Sequence, residues 1–351
     1  MTRHAKSHLS PALCCYRRGM ATRGGIRSLT VNRYEAAANQ MLQRAAAEHG
    51  DRLMLKVRLA DAIDIDGMDN LSERAKSYAL RAHLDFLMID TATGEGRFGV
   101  ELDGRQHWSD PRTRERDQLK DDLCARAGLP LLRIASDFAR RIGRWQVLSY
   151  LTEAFYRAEA FHDAQERGGI PFDEPFVMGN FFTLDDKGHV SFDAADIRVR
   201  VALREHFQAG RVPAPIPDLF YTELPEERAV QVHTWMAVAH DRYLISKAVV
   251  RDFHFSGITP YELLEQLAWA ELGELLDQWI RGEAVAQNGR DLDKAVAEVQ
   301  SAIDTTGTTL RVVYGPALWA GGTEVVLRFP AGDLRLPYRG GTVGTGTYGD
   351  R

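Results

Sequence analysis

Cysteine is scarce in this sequence: Cys14, Cys15 and Cys124 are the three among 351 residues. Their spacing matches no metal-ligand pattern, and two of them are adjacent, which argues against the disulfide framework of a small secreted domain. Apolar runs long enough to span a membrane are also missing. These absences exclude a membrane-spanning protein and favour the cytoplasm over secretion.

Net positive charge is missing as well. The formal net charge is -5 at pH 7, so the chain as a whole does not attract polyanions, and a nucleic-acid partner would have to contact a local basic patch. Hydrophobic residues make up 44% and charged residues 26% of the sequence, which is typical of a globular protein. Because 351 residues exceed one ordinary compact core, we expect two domains.

A basic patch does occur at the N-terminus, where residues 1–30 contain no Asp or Glu. Its Lys and Arg residues are Arg3, Lys6, Arg17, Arg18, Arg23 and Arg27. Two interpretations are open. The segment is either an arm that holds nucleic acid through phosphate contacts or a flexible leader, since Met20 offers a second start. We favour the flexible leader.

The sequence pattern over residues 31–142 predicts a series of helices and strands. An Ala-, Gln- and Glu-rich stretch over 32–49 predicts the first helix, with Gly50 as its stop. A second helix has Asp110 as N-cap, Pro111 at its first position and Gly128 as its end. Apolar patterning predicts strands over 53–59, 82–90, 97–103 and 129–135. The order of helix, three strands, helix and strand indicates an α/β domain.

Beyond this domain we predict a connecting helix over 143–167 and a C-terminal α+β region over 168–338, followed by a Gly/Thr-rich tail over 339–351. The expected elements of that region are a strand pair around a turn at 186–188, helices over 194–208 and 226–240, a helix from the Thr259 cap to Ile280, and strands over 308–315 and 323–329. No motif in this region indicates a function.

Acidic residues converge on the predicted hairpin. Glu101 and Asp103 are two apart in a strand and therefore share one face. Asp85 lies on the neighbouring strand, and a turn near residues 94–96 brings it close to them. Clustered carboxylates repel one another unless a cation neutralises them, water solvates them or one takes up a proton. Such oxygen ligands suit Mg²⁺ or Mn²⁺.

The helix that follows adds positive charge. At about 100° per residue, Arg116 and Lys120 share a face near the strand end that carries the carboxylates. A basic group beside a metal site can orient a phosphate and stabilise negative charge that develops on it. The alternative is a solvated helix face on which these residues pair with Asp117 and Asp121.

These features resemble the PD-(D/E)XK nuclease superfamily, in the restriction-endonuclease-like branch related to very-short-patch-repair endonuclease. Asp85 in "HLDF" matches the first acidic motif residue and Glu101 in "ELDGRQH" the second, with His107 shortly after. Glu35 stands where many members carry an acidic residue. The resemblance covers about residues 30–140 and implies a restriction-endonuclease-like αβββαβ core.

The resemblance also implies a divalent-metal-dependent endonuclease that hydrolyses DNA phosphodiester bonds, in repair or defence. Asp85 and Glu101 would hold Mg²⁺ or Mn²⁺ together with the Leu102 carbonyl, and Asp103 would assist. His107 would be the general base or acid, because the unperturbed pKa of His lies near neutrality. The superfamily has Lys where this chain has Asp103, so Lys120, Arg116 or His107 would have to supply that function.

Each of these residues also has a structural interpretation. Asp85 and Glu101 could lie on a solvated sheet face, Asp103 could be a turn residue before Gly104, and His107 could pack beside Trp108. Arg133 we expect to support the fold by pairing with an acidic neighbour.

At the level of the whole protein, the rival hypothesis is a catalytically silent nuclease-like module that binds DNA or a protein. A third is that the C-terminal region carries the main activity. We expect DNA as partner, no membrane, and a homodimer or partner protein docking through the C-terminal region.

Overall fold

A computed structural model describes residues 29–30, 32–104, 110–135, 139, 141–143, 145–181, 183–184, 190–191, 194–225, 228–251, 253, 255–294, 297, 309–314, 318–321, 324–329 and 332–337. Its helices are α1 (Arg33–His49), α2 (Leu59–Ala62), α3 (Glu73–Ala79), α4 (Pro111–Ala127), α5 (Val147–Glu166), α6 (Ala195–Gln208) and α7 (Pro260–Ile280). Its longer strands are β1 (Arg52–Arg58), β2 (His83–Ile89), β3 (Gly96–Asp103), β4 (Leu131–Ala135), β9 (Asp218–Leu224), β10 (Ala229–Ala239), β11 (Arg242–Arg251), β12 (Thr309–Tyr314), β13 (Leu318–Gly321), β14 (Glu324–Phe329) and β15 (Gly332–Pro337). Short strand pairs are β5 (Arg141–Ile142) with β6 (Trp145–Gln146), and β7 (Thr183–Leu184) with β8 (Val190–Ser191).

Several predicted features lie outside the described residues. They are the basic leader up to residue 28, His107 with Trp108, the turn at 186–188 and the tail over 339–351.

The N-terminal sheet has the strand order β1-β2-β3-β4. β1, β2 and β3 pair antiparallel, and β4 pairs parallel to β3 after the crossover through α4. The elements follow one another as predicted, with α2 and α3 inserted between β1 and β2. The predicted mixed α/β class is confirmed.

Local capping chemistry sets the ends of the two helices that flank this sheet. The Asn32 side chain accepts hydrogen bonds from Tyr34 N and Glu35 N at the start of α1, and Asp110 caps α4 ahead of Pro111. Both helices end at a glycine in the left-handed region, with φ of 75° at Gly50 and 71° at Gly128, which costs glycine little. The predicted limits of these helices are therefore confirmed.

The helix predicted over 226–240 is wrong, because residues 229–239 form strand β10. It lies inside a second sheet with the order β11-β10-β9-β12, and residues 229–236 are all buried. A strand covered on both faces is continuously apolar rather than alternating, so its pattern does not differ from that of a buried helix. The Val, Thr and Trp content of the segment favoured the strand.

The main hydrophobic core, here called the first core, draws on both predicted regions. It contains side chains of α1, β2, β3 and β4 together with side chains of α5, β9, β10, β11 and α7. Phe155 of α5, the predicted connecting helix, packs against Phe98 of β3 at a centroid distance of 4.5 Å and against Phe255 at 5.4 Å. Residues beyond 168 therefore share one core with the N-terminal sheet.

A second core lies on the opposite face of the N-terminal sheet, under α3 and α4. A third, smaller core joins α6 and α7 to β10 and β11. Among the helices that the structure describes, none is long and apolar enough to cross a membrane.

Candidate active site

The hydrogen-bond ladder between β2 and β3 ends where the acidic residues begin. Its last pair on that side is Phe86 with Val100. One step further, the Asp85 backbone N–H donates to Glu101 Oε1 over 3.2 Å, and the Leu102 N–H donates to Asp85 Oδ2 over 3.0 Å. The two carboxylates thus replace main-chain acceptors, and the chain itself holds Asp85 and Glu101 together.

Lys56, which no sequence pattern indicated, lies on the other side of Asp85. The β1–β2 register passes from Leu55↔Phe86 to Val57↔Leu84, so Lys56 and Asp85 stand opposite each other. The Lys56 ammonium is 2.6 Å from Asp85 Oδ1. Its backbone has a φ of 51°, a conformation that is rare for any residue other than glycine and is strained inside a strand.

At Lys56 and Asp85, the regular alternation of side chains between the two faces of the sheet is interrupted in both β1 and β2. On β1, Leu55 packs against the first core whereas Val57 packs against the second. On β2, Leu84 belongs to the second core and Phe86 to the first. Regular alternation would place residues two apart on one face. The distortion therefore turns Lys56 and Asp85 away from both cores and toward each other.

A second lysine, Lys120 of α4, pairs with Glu101. Lys120 Nζ of α4 is 2.9 Å from Glu101 Oε2 and donates to the His83 carbonyl over 2.7 Å. Burial raises the pKa of Glu101 above its usual value, with Asp85 adding to the rise and Lys120 opposing it. Burial alone would lower the pKa of Lys56, but the hydrogen bonds and charges of Asp85 and Glu35 together outweigh it, so that pKa is raised.

Asp103 lies in a different ion network. Its carboxylate accepts from Arg133 Nη1 at 2.9 and 3.0 Å and from Arg251 Nη1 at 2.9 Å. Arg133 also pairs with Asp117 and Asp121 of α4. The prediction that Arg133 pairs with acidic neighbours is confirmed. Asp103 points to arginines, whereas Asp85 and Glu101 point to lysines.

The remaining predicted residues are placed as follows. Glu35 Oε1 of α1 is 3.5 Å from the Lys56 ammonium, so Glu35 joins the site through that lysine. Arg116 is exposed on α4. The structure therefore brings Glu35, Asp85, Glu101 and Lys120 together and leaves Arg116 at the surface. The role of His107 stays a prediction.

A cleft of about 970 Å³ opens beside the site along β1. Lys56, Arg58 and His83 are among the residues that line it. The Lys56 side chain is 31% exposed, against 9% for Lys120. Of the two lysines at the carboxylate pair, Lys56 is thus the one that a molecule in the cleft can reach.

The residues at the site fit a magnesium ion only as a partial shell. Within the described ranges, no group of three or more His, Cys, Asp and Glu side chains is placed to hold a metal. Asp85 and Glu101 supply two carboxylates, and each oxygen keeps a lone pair beyond the hydrogen bond it accepts. Magnesium in phosphate-transfer sites is bound by one or two carboxylates, with water and substrate phosphate completing the shell. The pair meets that requirement.

Residues 27–146 match a family described as "Protein of unknown function (DUF2726)". The matched segment contains the whole N-terminal sheet with Lys56, Asp85, Glu101 and Lys120, and it ends before α5. Arg251 lies outside it. No curated protein and no solved structure matches the chain.

Proposed function

We propose that residues 31–142 form a restriction-endonuclease-like domain and that the protein is a DNA endonuclease dependent on Mg²⁺ or Mn²⁺. The observation that carries this proposal is the meeting of Asp85 and Glu101 at the end of the β2–β3 ladder, with a lysine bound to each. The helix and strand order of the domain supports it. So does the cleft along β1, which leads to Lys56.

In this proposal Asp85, Glu101 and the Leu102 carbonyl hold the divalent ion. Such an ion lowers the pKa of bound water and polarises the scissile phosphate. Lys56, at the cleft, contacts the phosphate and stabilises negative charge that develops during cleavage. We assign the substrate contact to Lys56 rather than to Lys120 because Lys120 is buried and already donates to Glu101 and the His83 carbonyl. Lys120 then opposes the rise that burial causes in the pKa of Glu101.

The other residues take supporting roles. Arg116, exposed on α4, contacts a phosphate away from the scissile bond, and such a contact weakens as salt rises. Glu35 holds the Lys56 ammonium from the side of α1. We leave Asp103 out of the ligand set because two guanidinium groups already bind its carboxylate. His107 remains the proposed general base or acid.

The second candidate function is a silent nuclease-like module that binds DNA or a protein. One observation favours it: each oxygen of Asp85 and Glu101 already accepts a hydrogen bond within the chain. Each carboxylate oxygen therefore has a hydrogen-bond donor without a metal ion, as expected of a pair with a purely structural role. The two functions differ in whether a divalent ion enables bond cleavage.

The test incubates the purified full-length protein with supercoiled plasmid, single-stranded DNA and single-stranded RNA, each with Mg²⁺, Mn²⁺ or EDTA. The proposal predicts cleavage of at least one DNA form with either ion and none in EDTA. Retarded migration of DNA without cleavage in any of these buffers would favour the silent module. Cleavage of RNA alone would contradict the choice of substrate.

A further inference from the structure

We infer that Arg251, contributed by the C-terminal region, is a positioning residue for the proposed active site; this inference rests on the proposed function. The guanidinium Nη1 donates to Asp103 Oδ2 over 2.9 Å and to Asp117 Oδ2 over 3.2 Å. These residues belong to β11, β3 and α4. One guanidinium group therefore ties together three elements that are far apart in the sequence.

The two carboxylates that Arg251 binds are close neighbours of the site. Asp103 lies two residues after Glu101 on β3, and Asp117 lies three residues before Lys120 on α4. Alternate residues of a strand share a face, and residues three apart in a helix are adjacent on its surface. A clamp between Asp103 and Asp117 thus sets the spacing of Glu101 and Lys120, whose charged atoms are 2.9 Å apart.

The clamp lies in a buried and closely packed place. The side chains of Asp103, Asp117 and Arg251 are 3%, 8% and 10% exposed. Where β11 meets β4, the space lined by Asp103, Arg133 and Arg251 is only about 10 Å³. The guanidinium is thus closely packed there, and its bonds connect β3 with α4.

The second guanidinium also contributes to the charge balance of this cluster. Asp103, Asp117 and Asp121 all surround Arg133 of β4. Arg251 adds a second guanidinium to these three carboxylates, of which Asp103 and Asp117 are buried, and its removal would strengthen the repulsion between β3 and α4. Because Arg251 lies beyond the segment that matches the family, the C-terminal sheet of this chain supplies a part of the site that the matched segment lacks.

The first experiment measures kcat and KM of plasmid cleavage by full-length Arg251→Met, Arg251→Lys and Arg200→Met. Arg200 is the matched control, since it also pairs with two carboxylates of the C-terminal region, Asp196 and Glu265. We expect Arg251→Met to lower kcat by about 10- to 100-fold, as loss of an outer-shell contact does, with KM nearly unchanged. Arg251→Lys should recover part of the loss, and Arg200→Met should keep the wild-type kcat. A wild-type kcat for Arg251→Met would overturn the inference.

A second experiment tests the coupling between Arg251 and Lys120 without measuring activity. Urea unfolding midpoints are compared for Arg251→Met, Lys120→Met and the double variant, and Arg251→Lys replaces Arg251→Met if the latter does not fold. Coupled residues give a combined shift that differs from the sum of the single shifts. Additive shifts would overturn the inference even if the wild type cleaves DNA. Failure of the wild type to cleave, with coupled shifts, would overturn only the proposed function.

Discussion

The Lys56 ammonium lies 2.6 Å from the Asp85 carboxylate, while the backbone of Lys56 has a φ of 51° within strand β1. A non-glycine residue in that region stores roughly 1 to 3 kcal/mol of strain, and such strain concentrates at functional sites. Here the strained backbone turns the ammonium group toward the carboxylate pair. The conformation is thus maintained by the surrounding structure, and it places a cation where the proposed chemistry needs one.

Replacing Lys56 separates this strain from the ion pair. Lys56→Ala and Lys56→Gly both remove the ammonium, but only glycine adopts the left-handed conformation without cost. We expect Lys56→Gly to be more stable than Lys56→Ala by about 1 kcal/mol, measured by urea unfolding. Arg52, an exposed residue of β1, provides the control: Arg52→Gly should be less stable than Arg52→Ala. If the alanine variant is more stable than the glycine variant at both positions, Lys56 is not strained.

Arg133 should be the most stabilising arginine of the N-terminal sheet. Its side chain pairs with Asp103, Asp117 and Asp121 and is almost fully buried. Arg133→Met removes a cation that Asp103, Asp117 and Asp121 share, so we expect a loss of about 3 to 5 kcal/mol in the free energy of unfolding. Arg58→Met, which breaks the exposed pair with Asp61, should cost far less. Equal losses for the two variants would contradict the buried network.

Asp218 of β9 should make the stability of the protein depend on pH. Burial raises the pKa of Asp218 to about 7, although the Trp235 side chain opposes the rise. The folded state therefore retains a proton that the unfolded state releases, and stability falls as pH rises from about 4 to about 7. Relative to Asp218→Asn, the wild type should lose at most about 4 kcal/mol across that window. Urea unfolding at several pH values measures the difference.

His233 of β10 provides a control of opposite sign. Burial, together with the Lys247 cation, lowers the pKa of His233 to about 3. The folded state stays unprotonated while the unfolded state takes up a proton, so stability falls as pH drops below about 6.5. His233→Gln should remove that slope and leave the Asp218 slope in place. Parallel curves for the wild type and Asp218→Asn would show that Asp218 is ionised normally.

Metal binding should be visible in thermal unfolding. An ion that binds only the folded state stabilises it, so millimolar Mg²⁺ or Mn²⁺ should raise the melting temperature of the wild type by about 1 to 3 °C. Glu101→Gln and Asp85→Asn should abolish the shift. Glu73→Gln, the same change at an exposed residue of α3, should keep it. A shift that survives in Glu101→Gln would place the ion elsewhere.

Local chemistry made much of the fold predictable. The ends of α1, α4 and α7 follow from capping residues that act within a few positions, such as Thr259, whose side chain forms a capping box with Glu262. The close approach of Asp85 and Glu101 followed from strand periodicity and one hairpin. These features depend on neighbours in the sequence, and the structure contains them.

Features that depend on distant neighbours were not predictable. The apolar run of β10 is set by burial on both faces, which a single segment does not reveal. The conformation of Lys56 depends on Asp85 and on the two cores, which contact β1 side chains on opposite faces of the sheet. Arg251 reaches Asp103 across 148 residues, and no local pattern marks a pair at that separation.

The most direct test of the account is the rate of plasmid cleavage in Mg²⁺ by the wild type, Glu101→Gln and Glu73→Gln. Gln keeps the shape of Glu and can still accept the Asp85 N–H, so Glu101→Gln should fold but lose the charge that holds the ion. We predict metal-dependent cleavage by the wild type and Glu73→Gln, and a rate at least about 100-fold lower for Glu101→Gln. Cleavage by Glu101→Gln at the wild-type rate, or no cleavage by the wild type with Mg²⁺ or Mn²⁺, would contradict the account.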